Sequence, residues 1–269
     1  EGGSGDDILI TGSGHNTLIG GLGYDIAIIA AASAYSYEGD DIEEFITLDE
    51  GTNAYIVTFH ANYKDGTVIP QFKIVYSNEK YEDLPELTRT GYTFKGWFTE
   101  ESGGTEVTAA TDVNISDTQR LYAQWTANEY TVSFNANYSG GGINPDTISV
   151  TYDEKYGPLP TLEERTGYTF AGWFTEAQGG TEVTSDTKVT IVGDQKLYAQ
   201  WTINKYTIIF DSAGGTDVAA ITQDYATSVT APADPTRTGY TFIGWDTTVP
   251  TTMPAGDLTI TAQWTINEY

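Results

Sequence analysis

Cysteine is absent from this 269-residue chain, so neither a disulfide framework nor a thiolate metal site holds it together. Basic residues are scarce: 12 lysines and arginines stand against 38 aspartates and glutamates, a formal charge of −26. A field of that sign repels nucleic acid and anionic membrane surfaces and favours divalent cations. No apolar run approaches the length of a membrane span, which predicts no membrane insertion, and no signal-peptide pattern opens the chain. What is present is a folding composition, 39% hydrophobic and 13% aromatic, long enough for two or three small domains with modest cores. The chain starts and stops inside repeated patterns and is read as a segment of something longer.

Composition divides the chain in two. Residues 1–53 hold eleven acids and no lysine or arginine. From Ala54 onward the sequence repeats itself. RTGYTFKGWFTEESGGTEVT at Arg89 to Thr108 returns as RTGYTFAGWFTEAQGGTEVT at Arg165 to Thr184, and RTGYTFIGW follows at Arg237 to Trp245. AYIVTFHANY answers to EYTVSFNANY and KYTIIFDSAG, and LYAQWTANEY to LYAQWTINKY and ITAQWTINEY. The expected domains are 54–127, 128–203 and a shortened 204–269, joined by brief T-x-N-x-Y links. Links so short predict units that run end to end as a rod with limited bending.

Within a unit the pattern is mostly strand. Tyr130, Val132 and Phe134 alternate with Thr131 and Ser133, and Ile148, Val150 and Tyr152 do the same. In Gly-Tyr-Thr-Phe-x-Gly-Trp, strict alternation puts Trp173 on the face opposite Tyr168 and Phe170. A bulge at Gly172 restores the indole to the apolar side. Pro158 and Pro160 exclude a long helix before RTGYTF and leave a single helical turn at most. Each unit is thus expected to be a small, helix-poor sheet with two tryptophans, such as Trp173 and Trp201, largely buried.

The run from YTVSF through RTGYTFxGWFTExxGGTxVT to LYAQW resembles the Listeria–Bacteroides repeat, the B-repeat type of internalin-like surface proteins. The resemblance implies a compact β-grasp-like fold in tandem arrays of secreted or cell-surface bacterial proteins, with no catalytic residues to carry over. The third unit departs from the pattern. Its Trp245 and Trp264 are 19 residues apart, where Trp97–Trp125 and Trp173–Trp201 are 28 apart, and it lacks the FTExxGGTE segment. That segment is therefore not needed for folding.

Comparison among the copies separates packing from chemistry. His60 becomes Asn135 and Asp211, which cannot share a role as base or ligand. Gly103–Gly104 and Gly179–Gly180 vanish in the third unit, as a hairpin turn can and a phosphate cradle cannot. What persists is Arg, Thr, Gly, Tyr, Phe, Trp and Ala-Gln-Trp, a profile of packing. Arg89, Arg165 and Arg237 are expected to bond a turn or stack on a ring. An exposed ring platform for sugar or peptide is the rival reading of the aromatics.

The N-terminal 35 residues carry the one plausible site. GGSGDDILI, TGSGHNTLI and GGLGYDIAI are consecutive nonapeptides starting at Gly2, Thr11 and Gly20. They resemble calcium-binding RTX repeats, a resemblance that implies a parallel β-roll in which alternate turns stack. Glycines let carbonyls converge and aspartates add hard anionic oxygens, which suits calcium. The implied Ca2+ ligands are the Asp7 and Asp25 carboxylates with carbonyls around Gly3, Gly5, Gly21 and Gly23. Asn16 is a weaker candidate, since its partner on the next turn would fall near Ile29 to Tyr35. Leu9, Leu18 and Ala27 should point inward. Ile8, Ile10, Ile19, Ile26 and Ile28 should point outward as a patch covered by residues 29–53, or else by another copy in a fibre. The roll is expected to end near residue 35, with 36–53 as an acidic flank.

The expected architecture is therefore mainly β: a short RTX parallel β-roll followed by three tandem helix-poor β-grasp-like domains. Two histidines, no cysteine and no recurring acid pair fit an enzyme badly. The expected role is a non-catalytic adhesin or stalk segment, secreted or at the cell surface and exported by type I secretion from a Gram-negative bacterium. Expected partners are calcium, and other copies or surface glycans and proteins, with no nucleic acid.

Overall fold

The structure is a computed structural model that describes residues 3–4, 8–11, 15–18, 21–22, 26–30, 34–37, 44–48, 52–64, 66, 72–138 and 144–268. It divides into two compact units, Glu1–Asn128 and Glu129–Tyr269. The first opens with seven short strands: β1 (Gly3–Ser4), β2 (Ile8–Thr11), β3 (His15–Leu18), β4 (Gly21–Leu22), β5 (Ile26–Ala30), β6 (Ala34–Tyr37) and β7 (Glu44–Leu48). All their pairings are parallel. Gly3 lies beside Gly21, Ile8 beside Ile26 and Ile26 beside Glu44, each eighteen residues on, while His15 beside Ala34 is nineteen on. A stagger of two nonapeptides pairs alternate strands rather than successive ones.

Leu9, Ala27 and Ile29 pack together. The side chain of Leu18 lies outside the described residues, as do those of Ile8, Ile10 and Ile19. Two expectations change here. Parallel pairing does not stop near residue 35, because β7, from the acidic flank, extends the β2–β5 sheet in the same register. Phe45 and Ile46 continue the apolar strand beside Ala27 and Ile28 although no glycine-rich turn precedes them. The outward isoleucines also find cover beyond the flank. Ile28 is fully buried and Ile26 half-buried, and both pack with Ala54, Ile74 and Tyr76 of the first repeat, while β7 of the flank pairs alongside them.

The first repeat has β8 (Ala54–His60), β9 (Phe72–Tyr76), β10 (Tyr92–Phe98), β11 (Glu106–Val107) and β12 (Gln119–Ala127), in the sheet order β11-β10-β12-β8-β9. The second repeats this with β13 (Glu129–Asn135), β14 (Ile148–Thr151), β15 (Tyr168–Phe174), β16 (Glu182–Val183) and β17 (Gln195–Ile203). The third has β18 (Lys205–Asp211), β19 (Ile221–Asp224), β20 (Tyr240–Trp245) and β21 (Leu258–Ile266). Its order β19-β18-β21-β20 is the same sheet without the short fifth strand that the missing segment supplies. In every repeat the first and last strands pair in parallel, and the other contacts are antiparallel.

Each core follows from the alternation plus one irregularity. Phe170 pairs with Trp201 and Gly172 with Gln200, so Ala171 is the extra residue of a bulge, at which Gly172 adopts a φ of 140°. The slip returns Trp173 to the buried side, 2% exposed, against Phe134 and Phe170. Gly96 and Gly244 make the same bulge. Trp245 stays only half-buried because no strand stands where Val183 pairs with Trp173.

No helix occurs among the described residues, so even the single helical turn allowed near Pro158 is not formed. Leu159 and Leu162 pack on the core instead, and the Pro160 carbonyl accepts the Trp173 indole N–H at 2.9 Å. Trp97 donates to Pro85 in the same way, at 2.8 Å. Trp201 departs from expectation. It is half-buried, anchored by its indole N–H to the Ala136 carbonyl, with part of its ring at the surface.

Within the second unit, Asn204 is the only residue between β17 and β18. Its N–H donates to the Gly167 carbonyl and its Oδ1 accepts from Thr169, tying the link back to the second repeat. Its carbonyl accepts the N–H of Tyr225, in the third repeat. The Tyr225 ring packs edge-on to Tyr168 and Tyr206 and fills the space above Gly167, where an added Cβ would lie 2.0 Å from the ring.

Trp173→Ala should cost about 3–5 kcal/mol by loss of a buried indole, read as a lower melting temperature of the second repeat with its neighbours intact. Gly167→Ala should add a collision with Tyr225 to the strain of a left-handed backbone, φ 75°. Gly239→Ala is the control, since it has φ 79° but nothing within 4 Å of the added carbon. Faster proteolysis at Asn204 in the first variant and not the second is the expected result.

Candidate functional site

The implied calcium residues fall largely beyond the described structure. Asp7, Asp25, Gly5 and Gly23 lie outside the described residues. Gly3 and Gly21 are parallel neighbours on β1 and β4, and Asn16 sits on β3 opposite Tyr35. Among the described residues, no three His, Asp or Glu side chains converge as metal ligands.

Within the repeats, residues that looked chemical turn out to shape the backbone. His60 Nδ1 accepts the N–H of Asn62, Asn135 Oδ1 accepts that of Asn137, and Asp211 Oδ1 accepts that of Ala213. Three different side chains thus cap one turn, whose second residue is left-handed in each copy (φ 59°, 57° and 48°). Gly103–Gly104 and Gly179–Gly180, all at positive φ, close a hairpin loop.

That loop is pinned by amides. Asn62 Nδ2 donates to the carbonyls of Glu101 and Ala123, and Gln124 Nε2 to those of Glu100 and Gly103. Asn137 and Gln200 do the same in the second repeat. Beside the loop, the Arg89 guanidinium lies 3.5 Å from the centre of the Tyr92 ring, 4.9 Å from Tyr63 and 5.9 Å from Trp125. Arg165 is held alike by Tyr168, Tyr138 and Trp201, at 3.7, 4.8 and 5.6 Å. Arg237 differs: it stacks on Tyr240 at 3.9 Å and donates to the Ala213 carbonyl.

The expected stacking therefore occurs, and in two copies it borders a groove. In the first repeat the groove is about 260 Å³, lined by Asn62, Arg89, Tyr92, Glu101, Ser102, Gln124 and Trp125. In the second it is about 550 Å³ and continues past Asn204 to Tyr206 and Ala255 of the third repeat. Sequence reasoning missed Tyr63, Tyr138, Asn62 and Asn137. The signal was present: HANY and NANY become DSAG in the copy that has lost the loop.

A second co-varying pair sits under the sheet. The Tyr81 hydroxyl donates to Gln119 Oε1, and Tyr156 to Gln195 Oε1. Where the third repeat aligns Val229 and Leu258, both side chains pack on its core instead. Burial pushes both tyrosine hydroxyls above their ordinary value of 10.0, and for Tyr81 the Gln119 hydrogen bond offsets part of the rise.

Three small all-β sheets in tandem, each closed around a bulged tryptophan, define a repeat array. The chain matches the Listeria-Bacteroides repeat domain over residues 55–124, 130–200 and 206–263, and it belongs to that family. It is 33% identical over 234 residues to a protein of Evansella cellulosilytica provisionally named a Gly-rich membrane protein, covering 81% of this chain and 25% of that one. A membrane protein provisionally so named from the same organism is 31% identical over 228 residues, covering 81% and 32%. Internalin H of Listeria monocytogenes is 35% identical over 153 residues, covering 57% and 26%. The chain thus spans about a quarter to a third of the length of these relatives. No helix among the described residues is long and apolar enough to cross a membrane.

Because the folded tyrosines hold their protons more tightly than unfolded ones, their contribution is complete below pH 10 and is lost as pH rises through the higher folded values. Alkaline melting of separately expressed repeats should show that loss in the first and second. The third, with Val229 and Leu258, should lack this step.

Proposed function

We propose that this chain is a non-catalytic segment of a large secreted or surface-attached bacterial protein, in which β-grasp-like repeats act as rod-like spacers. One observation carries the reading: the three copies share packing groups and turn caps but no titratable group in a common chemical role. The kinship with internalin H and with proteins named as membrane proteins supports a place at the cell surface. Within the second unit, the one-residue link at Asn204 is tied to both the second and the third repeat, which suits a spacer because little chain is left free to bend. Small-angle scattering of the whole segment should report an extended particle, and a compact one would overturn the spacer role.

The N-terminal strands fit a calcium-stabilised RTX roll. The parallel Gly3–Gly21 pairing brings backbone of the first and third nonapeptides together, as a shared site needs. Asp7 and Asp25 would supply carboxylates, the nearby glycines Gly3, Gly5, Gly21 and Gly23 carbonyls, and Asn16 a lesser contribution. Calcium would neutralise acids that otherwise repel. Export by a type I route from a Gram-negative cell belongs to the same reading. Because Ile26 and Ile28 pack on Ala54 and Ile74, chelation should also weaken the first repeat. Calorimetry should show calcium uptake that Asp7→Asn and Asp25→Asn each weaken. Hydrogen exchange after chelation should quicken in residues 1–48 and in the first repeat, with the other two unchanged. No calcium uptake by the folded chain would remove the RTX reading.

A further inference from the structure

We infer that the first and second repeats each carry a site for a carboxylate-bearing sugar, a terminal uronic or sialic acid, built on the ring-stacked arginine. The inference deepens the ring-platform alternative and does not depend on the spacer role.

The first observation is electrostatic. In a chain with 38 acids, the four ion pairs seen among the described residues are all made by lysines: Lys80, Lys155, Lys188 and Lys205. The guanidinium groups of Arg89 and Arg165 have no ion-pair or hydrogen-bond partner among the described residues, only rings, although both backbone carbonyls are bonded. With Tyr63 and Tyr92 over the Arg89 guanidinium, what remains for a ligand is its edge of N–H donors. A planar fork of donors matches a carboxylate through two parallel hydrogen bonds.

The second observation is the polarity of the rest of the groove in the first repeat; the groove of the second shares the arginine, Tyr168 and Trp201 but is lined by Glu163, Glu164 and Thr166 in place of the loop-pinning amides. Asn62 and Gln124 spend their amide N–H groups on the loop, so their Oδ1 and Oε1 are left as acceptors. Glu101 also lines the groove: its oxygens accept hydroxyl donors, and its charge opposes a ligand carboxylate anywhere but on Arg89. A wall of acceptors calls for a ligand rich in hydroxyl donors, which a sugar is and a peptide backbone is not. The half-buried Trp125 ring offers an apolar face for the C–H side of a pyranose. The groove, about 260 Å³, suits one sugar residue rather than a long chain.

The third repeat is the internal control. Gly214 and Ala213 stand where the first repeat has Tyr63 and Asn62, the loop is missing, and Arg237 donates to the Ala213 carbonyl. It should not bind.

The test uses the whole folded chain, labelled with nitrogen-15, and titrated with glucuronic acid and N-acetylneuraminic acid. Their methyl esters serve as neutral isosteres. Indole and guanidinium N–H resonances of Trp125, Arg89, Trp201 and Arg165 should shift, and those of Trp264 and Arg237 should not. The esters should bind at least about tenfold more weakly, as expected for loss of a charge-assisted pair. Arg89→Gln should abolish the response in the first repeat alone, with the second reporting that the chain is folded. Equal binding of acid and ester, or no shift up to about 10 mM, would overturn the proposal. A tighter response to a peptide's C-terminal carboxylate would reassign the groove to protein partners and overturn it equally.

Discussion

The parallel pairing of the first and last strands of each repeat is the constraint on which the rest of the structure depends. Parallel neighbours run the same way, so a repeat that begins at one end of its central strand pair finishes at the other. The chain can then start the next repeat after a single residue. An antiparallel arrangement of the same strands would return the chain to the end at which it entered. Repetition with short links is thus a property of the sheet's topology before it is a property of the links.

That topology also explains the glycines. With the first and last strands at the centre, the RTGYTFxGW strand pairs with the last one, and its tryptophan must face the same core as the Phe two residues before the bulge. Residues three apart on a regular strand face opposite ways, so an extra residue is unavoidable. A glycine accepts the φ near 140° at which the strand resumes. The indole then reaches Phe134 on the first strand and the Pro160 carbonyl on the connecting segment. One glycine therefore ties together three parts of a repeat of about seventy residues, too small to spare such contacts.

Lysines and arginines divide the few positive charges in an acidic chain. Lys80, Lys155, Lys188 and Lys205 make exposed ion pairs, which contribute little to stability in water. Arg89, Arg165 and Arg237 stack on rings, where the planar cation packs and still keeps donors in reach of the surface. Loss of the Asn62-type amide, the Tyr63-type ring and the FTExxGG loop together in the third repeat indicates that these three form one feature. The third repeat keeps its sheet without it, with Trp245 left half-buried.

Much was legible in the residues themselves. Period-2 alternation marked the strands, the Phe-x-Gly-Trp interruption marked the bulge, and internal repetition marked the array, because each is a local rule imposed by backbone geometry. The resemblance of the nonapeptides to RTX repeats implied parallel strands two repeats apart, and β1–β4 and β2–β5 pair that way. Other features needed the fold. That Trp201 is anchored but half-open depends on which carbonyl lies opposite its ring, and that carbonyl belongs to Ala136, sixty-five residues away. That His60, Asn135 and Asp211 do one job depends on a turn whose shape no single side chain declares. The cover over Ile26 and Ile28 came from the first repeat because only the folded chain brings Ala54, Ile74 and Tyr76 to them. Periodicity is set by neighbours along the chain and can be read there. Burial, capping and the partners of a guanidinium are set by neighbours across it, which only the tertiary structure decides.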